Sequence, residues 1–466
     1  MKSAPVSRQA FLKGVAGVAL AAGNRGRWTR SSPPRPVRPG SASIDSVSVT
    51  VGLNEPAGRT IPASLYGYAT GALLDDGCQL AANAKVQKSA QTLAPSLLRF
   101  NTPAAGIMQT VFAPGVSQPN WAPFARWVRD HADFLASGGR LVFGIGPAGG
   151  DTSIDAATWA SYAAATARYF RGTGEEITWW EVGNECDQGM ALADYTGYFN
   201  AIADALHGVD PGYRVGGPVS SWYGGFDLAD FVAGCGTRLD FIDFHSYPVG
   251  DGDSTQTAYH KAAAFADVAK ARAAVQGTAA ADLPIGLLEY NMNGDEQPGG
   301  LWGLPAQGTI AGAVYVALLL TRAATSDPRA KVTMGGLWDL VADSNFGAIG
   351  NAQDQGGYSA IDQQGRYLSR AARTLPGQQV TAATSAASLQ VLATTSGQDF
   401  AVQLVNYSLQ QRTAAIGVTG GTPASPLTRW ELSARYPGGH ATTTASLASV
   451  ALPPQSVVML DGQFSS

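Results

Sequence analysis

Three features of the sequence predict an α/β protein built as a (β/α)8 TIM barrel with a C-terminal antiparallel β-sandwich domain that includes an N-terminal strand. Eight short apolar runs alternate with helical spacers over residues 61–375. After about Pro376 the texture changes to short strands between turn residues, and residues 376–466 read as the sandwich. A lone alternating segment within residues 43–60 precedes the first run and is expected to join that sandwich. The chain has 466 residues, 45% of them hydrophobic. That is enough for one barrel of about 250 residues and a smaller second unit.

The elements follow in order. From Ser46 to Leu53 the chain alternates polar and apolar residues, the pattern of a half-exposed strand rather than a buried barrel strand. The eight runs are Leu65–Tyr68, Ser96–Asn101, Arg140–Pro147, Ile177–Glu185, Arg214–Val219, Leu239–Pro248, Leu283–Asn291 and Met334–Leu340. Helical patterns fill Ala81–Leu93, Ala122–Ala136, Ala156–Phe170, Ala191–Leu206, Thr257–Val275 and Thr309–Ala324. The spacer Asp227–Ala233 is short for a helix. Eight strands, with no glycine-rich phosphate loop after the first, favour a closed barrel over an open doubly wound sheet.

The N-terminus reads as an export signal over residues 1–23. Lys2, Arg8 and Lys13 are followed by a small apolar run from Gly14 to Gly23. Ser7-Arg8-Gln9-Ala10-Phe11-Leu12-Lys13 resembles a twin-arginine signal, with Gln9 at one of the two arginine positions. A periplasmic or secreted protein is therefore expected. Residues 24–42 are rich in Arg, Pro and Ser and read as a disordered linker.

Charge narrows the partners. The first 40 residues hold eight basic residues and no acids, which leaves 23 basic and 35 acidic residues, net −12, in the rest. Such a chain is a poor partner for nucleic acid or long polyanions. No run reaches the ~18 apolar residues needed to span a bilayer. Cys78, Cys186 and Cys235 lack zinc spacing, and an odd count leaves at least one thiol unpaired. One disulfide remains open after export. The His residues at 131, 207, 245, 260 and 440 contain no His-x-x-x-His pair. No metal and no cofactor are expected. The oligomeric state is left open.

Two runs carry chemistry. Trp179-Trp180-Glu181-Val182-Gly183-Asn184-Glu185 and Leu287-Leu288-Glu289-Tyr290-Asn291 each end an apolar strand on a carboxylate. In a parallel barrel the C-terminal strand ends form the active face. A single glutamate there has a plain reading as a loop residue. Two of them are the minimal equipment for cleaving a glycosidic bond. One carboxyl must hold a proton for the departing oxygen, and the other must be ionised to attack.

These two stretches resemble the paired signatures of clan A glycoside hydrolases, and His245-Ser246-Tyr247-Pro248 fits the same pattern. The whole layout is similar to the β-xylosidase/α-iduronidase family and the heparanase/β-glucuronidase family, over roughly residues 44–466. Cys186 stands where many members have Pro. The resemblance implies a retaining glycoside hydrolase that cleaves O-glycosidic bonds in polysaccharide or oligosaccharide fragments. It implies Glu185 as general acid/base, Glu289 as nucleophile and Asn184 as the partner of the sugar 2-hydroxyl. Alternatives are a catalytically inactive carbohydrate-binding barrel and a transglycosylase using the same site.

Four residues complete the candidate substrate-binding set. Arg99 is placed to hold Glu289 ionised, the alternative being a structurally paired barrel-wall arginine. His245 and Tyr247 share a face of their strand, and Tyr247 is a candidate to hydrogen-bond the nucleophile or, alternatively, a satisfied core tyrosine. Trp338 is a candidate sugar-stacking platform or a packing residue. Asp339, Asn291 and Asn293 are rim candidates. Glu181, four residues before Glu185, is expected deeper in the barrel as a structural partner.

Overall fold

The computed structural model describes residues 45–71, 83–115, 118–174, 177–250, 252–293, 308–327, 329–342, 346–350, 360–424, 426–444 and 446–465. The expected export signal and linker, Cys78 and the first residues of the Ala81–Leu93 pattern lie outside them. Residues 44–466 form one compact unit.

The strands, in chain order, are β1 (Asp45–Ile61), β2 (Gly67–Thr70), β3 (Leu97–Phe100), β4 (Arg140–Ala148), β5 (Trp179–Asn184), β6 (Arg214–Ser220), β7 (Phe241–Ser246), β8 (Ile285–Tyr290) and β9 (Val332–Leu337). They continue as β10 (Gly377–Thr384), β11 (Leu389–Ser396), β12 (Asp399–Asn406), β13 (Arg412–Thr419), β14 (Thr422–Pro423), β15 (Leu427–Leu432), β16 (His440–Thr444), β17 (Val450–Leu452) and β18 (Ser456–Ser465).

Strands β2 to β9 close a parallel eight-stranded barrel in sequence order, with β2 paired to β9 through Gly67↔Gly336 and Tyr68↔Leu337. Each of the eight apolar runs contributes one strand. Leu97, Val142, Phe241, Leu288 and Met334 cluster together as a buried apolar group contributed by five of the strands. Bulky branched and aromatic residues of this kind fill small barrels, so the interior is a packed core rather than a pore.

The strand β1 is longer than its alternating segment. Val47, Val49, Val51 and Leu53 are buried on one face, as the period-two pattern requires. The strand then continues to Ile61 through two register irregularities, around Pro56, along β10. It lies inside a sheet ordered β16-β15-β18-β12-β11-β10-β1-β13-β17. Its pairing with β10 is antiparallel and with β13 parallel. The sheet is thus mixed at this one seam. An N-terminal strand can be inserted beside a distant one in either direction, because no hairpin constrains it.

Helix Ile310–Thr325 explains how barrel and sheet adhere. Its residues 312–321 are all buried. A helix apolar all round must be covered all round. Here it packs on the barrel helices Thr255–Ala263 and Gln363–Thr374 and on β11, β12 and β18. Gln403 of β12 donates to Thr321 Oγ1 at 2.7 Å in this interface.

The helices depart from the sequence pattern in three places. The spacer after β6 does form a helix, Leu228–Cys235, because the Asp227 carboxylate caps it by accepting from Asp230 N at 2.9 Å. The Thr257–Val275 pattern divides into Thr255–Ala263 and Asp267–Ala274. Helices Ala105–Val111 and Gln363–Thr374 were not evident, the latter because it shows only a narrow apolar stripe of Tyr367, Leu368 and Ala371 among polar residues. No helix among the described residues is long and apolar enough to cross a membrane.

Candidate active site

Arg99 is the hub of the polar layer at the barrel's C-terminal end. It points inward from β3 and is wholly buried. Its Nε donates to Glu181 Oε2 and its Nη1 to Glu289 Oε2, both at 2.7 Å. Its Nη2 donates to Asn184 Oδ1 at 2.7 Å and faces His245 Nε2 at 3.3 Å. Burial opposes the charge on Arg99, but Glu181, Glu289 and Asp243 outweigh it and raise the guanidinium above its ordinary value.

The contact with Arg99 fixes the tautomer of His245. A guanidinium has only donors, so Nε2 must accept and Nδ1 must carry the hydrogen. Nδ1 therefore donates, to Glu185 Oε1 at 2.9 Å, and Glu289 Oε1 lies 3.6 Å from the same atom. Tyr247 OH donates to Glu289 Oε1 at 2.8 Å. Glu289 thus has one oxygen on a cation and the other on a hydroxyl.

Glu185 stands where β5 turns out of the barrel. Its backbone is left-handed, φ 50° and ψ 37°, a conformation that costs a non-glycine residue on the order of 1 kcal/mol or more. The Glu185 N–H donates to Val219 O at 2.7 Å, tying it to β6. Gln188 Nε2 donates to Glu185 Oε2 at 2.5 Å. Asp187, in the same turn, accepts from Ser221 N at 2.8 Å and from Ser221 Oγ at 2.5 Å. Gln188 and Asp187 were missed from sequence. Their position within three residues of Glu185 was the available signal, but only the tight turn gives it meaning.

Six of the seven candidate residues therefore meet: Glu185, Glu289, Asn184, Arg99, His245 and Tyr247. Trp338 stands at the end of β9. Its N–H donates to Tyr290 O at 3.0 Å and its carbonyl accepts from Asn291 Nδ2 at 2.6 Å. The indole takes no part in the hydrogen-bonded group of the other six. Asn291 is not a rim residue. It is wholly buried, and its Oδ1 accepts from Gln364 Nε2 at 3.0 Å. Glu181 is the buried partner of Arg99. Cys186 is a buried thiol that donates to Pro147 O at 3.2 Å, and burial pushes it up to about 12. Cys186 and Cys235 are both free thiols.

Among the described residues, Glu185, His245 and Glu289 are the group whose donor atoms converge most as a metal site would, all within 4.8 Å of one another. Electrostatics oppose that use. Arg99 already places a full positive charge on Glu289, and the His245 nitrogen nearest both carboxylates carries a hydrogen. What the arrangement can do is acid–base and nucleophilic chemistry with two carboxylates held in different environments.

The barrel and its paired strand-end glutamates are similar to those of clan A glycoside hydrolases. A sequence model of the family described as "Glycosyl hydrolases family 39" matches residues 165–323, about a third of the chain, which spans both Glu185 and Glu289. Solved structures share the architecture. A monomeric β-xylosidase from Caulobacter crescentus CB15 aligns with TM-score 0.64 at 15% identity, over 90% of this chain and 99% of its own. A GH51 α-L-arabinofuranosidase from Thermotoga petrophila RKU-1 gives 0.66 at 14%, over 90% and 100%. A GH30 endoxylanase from Clostridium papyrosolvens C71 gives 0.62 at 16%, over 89% and 100%. At these identities the likeness is one of fold. No curated protein sequence matches the chain.

Proposed function

We propose that the protein is a retaining glycosidase acting on oligosaccharide or polysaccharide fragments, with Glu289 as nucleophile and Glu185 as general acid/base. The observation that carries this reading is the gap between the two carboxylates. An oxygen of each lies within 4.8 Å of the other. Retaining pairs stand about 5–5.5 Å apart, whereas inverting pairs need roughly 6.5–9.5 Å to admit a water behind the sugar.

The surroundings sort the roles. Arg99 and Tyr247 hold Glu289 as an anion aimed at the anomeric carbon. The C–O bond to the leaving group breaks as the glycosyl ester to Glu289 forms, and Glu185 gives its proton to the departing oxygen. Glu185, now anionic, accepts the hydrogen of His245 Nδ1 and the amide of Gln188. It then takes a proton from the water that cleaves the ester. Asn184, aligned by Arg99, supports the sugar 2-hydroxyl, and Trp338 offers an aromatic face to sugar C–H groups. The printed activities of the structural neighbours direct the first substrate screen to aryl xylosides and arabinofuranosides, followed by glucuronides and galactosides.

The test is a pair of variants on the substrate found. Glu289→Ala should abolish turnover of every glycoside, a loss of 10⁴-fold or more in order of magnitude. Glu185→Ala should lose most on poor leaving groups, and added azide should rescue it as a glycosyl azide of retained configuration. Proton NMR of the first sugar released by the native enzyme should show the substrate's own anomer. Release of the opposite anomer would make Glu289 a base acting on water and end the proposal.

A further inference from the structure

Beneath the reacting carboxylates lie two acids that bond cleavage does not use. Glu181 on β5 and Asp243 on β7 are both wholly buried. Each has one oxygen occupied. Glu181 Oε2 accepts from Arg99 Nε at 2.7 Å, and Asp243 Oδ1 accepts from the Leu288 N–H at 3.0 Å. The remaining oxygens, Glu181 Oε1 and Asp243 Oδ2, are buried with no donor. Glu181 is close enough to act on the Asp243 carboxyl both as a like charge and through their side chains.

Two glycines flank the pair. On β6, between them, Gly216 pairs with both Glu181 and Phe241. A Cβ there would stand 2.2 Å from the Phe241 ring. On the other side, a Cβ at Gly286 would come within 2.9 Å of Asp243 Oδ1. Two buried carboxylates in contact cannot both be charged, and an acceptor facing an acceptor leaves both unsatisfied. One proton between them removes both penalties. Around the pair stand Arg99 from β3, Glu289 from β8, His245 further along β7, and Tyr195 with Cys186 and Cys235 on the side of helix Leu192–Val209. Arg99 is the cation of this set.

We propose that Glu181 and Asp243 share one proton, carried by Asp243, so that the pair bears a single negative charge that anchors Arg99 and through it governs Glu289. Both are positioning residues, and the consequence for Glu289 rests on its reading as nucleophile. Asp243 carries the proton because Glu181 faces the guanidinium, while Asp243 meets only a backbone N–H and the other acid. Burial first, and Glu181 next, push the Asp243 carboxyl well above the ordinary carboxylate range.

Two measurements test this. The first is infrared spectroscopy of the full chain in a Glu185→Gln background at neutral pH, which removes the catalytic acid from the spectrum. Adding Asp243→Asn or Glu181→Gln should each delete one protonated-carboxyl band. In either variant the new amide N–H replaces the shared proton and the other acid keeps the charge. A spectrum in which either addition leaves every such band in place overturns the proposal. This arm needs no turnover, so it stands or falls independently of the glycosidase reading.

The second measurement is the acidic limb of the kcat/KM–pH profile. Each single substitution conserves the charge and should leave the limb where it is. Glu181→Gln/Asp243→Asn removes the charge, and the limb should move to lower pH, on the order of one pH unit, because the negative charge beneath the reacting carboxylates is gone. A purely structural pair would lower kcat without moving the limb. A limb displaced by Asp243→Asn alone would show that Asp243 is charged and would overturn the proposal.

Discussion

Arg99 uses four of its five N–H groups on four different residues: Glu181, Glu289, Asn184 and His245. A lysine there would have three donors and no planar fork, so it could not reproduce the arrangement. The same residue scale governs His131, which is structural. It is wholly buried, with Nδ1 2.9 Å from Trp127 O and Nε2 2.9 Å from Thr70 Oγ1. Burial pushes it down to about 4 from the ordinary 6.5, against smaller opposing contributions from the Trp127 carbonyl and Asp130. The folded value lies below the unfolded one, so the proton binds on unfolding. The neutral ring's stabilisation is complete above 6.5 and is lost as the pH falls from there through about 4. At ~1.4 kcal/mol per pH unit, about 3 kcal/mol is at stake. The stability difference between the native protein and His131→Gln, measured by urea unfolding, should shrink by about that amount between pH 7.5 and pH 4. A difference that does not vary with pH would contradict it.

At the scale of elements, the turn after β5 and the loop after β6 act as one piece. Asp187 receives both the N–H and the hydroxyl of Ser221, and the Glu185 N–H reaches back to Val219 O. Gly225 lets them close, since a Cβ there would fall 2.2 Å from Asp187 Oδ2. Losing hydrogen bonds to a charged group costs roughly 1.5–3 kcal/mol. If that loss appears in the placement of Glu185, Asp187→Ala should lower kcat/KM by roughly ten- to a hundredfold, with Gly225→Ala in the same direction. The check is steady-state kinetics beside thermal melts. Variants that melt earlier but turn over at the native rate would confine this clamp to stability.

For the whole molecule, the sheet is part of the barrel's solvent shield. Helix Ile310–Thr325 contacts β11, β12 and β18 and has no polar face to offer water. Strand β1, at the start of the described chain, lies between β10 and β13 and depends on both for its pairing. A chain ending at Pro376 should therefore expose this helix and strip β1 of its partners. It should be insoluble, or melt well below the full chain. A soluble truncation with native activity would show that the barrel stands alone.

Short-range pattern was legible without the fold. Apolar runs of strand length, alternating with helical periodicity, specify eight barrel strands. Period-two alternation from Ser46 marks a half-exposed strand. The strand-end positions of Glu185 and Glu289 follow from where those runs stop. Contacts between residues far apart in the chain leave no trace in that pattern. Arg99 reaches Glu289 across 190 residues and Glu181 across 82. Nothing in the local pattern selects an inward guanidinium over an outward one. Helix Gln363–Thr374 escaped because packing, not propensity, holds a helix with so few apolar residues. The parallel pairing of β1 with β13 escaped because strand direction in a sheet leaves no mark on alternation. The contact between Glu181 and Asp243 likewise arises only when β5, β6 and β7 are laid side by side. A buried carboxyl acquires its proton from its neighbours, and those are set by the fold.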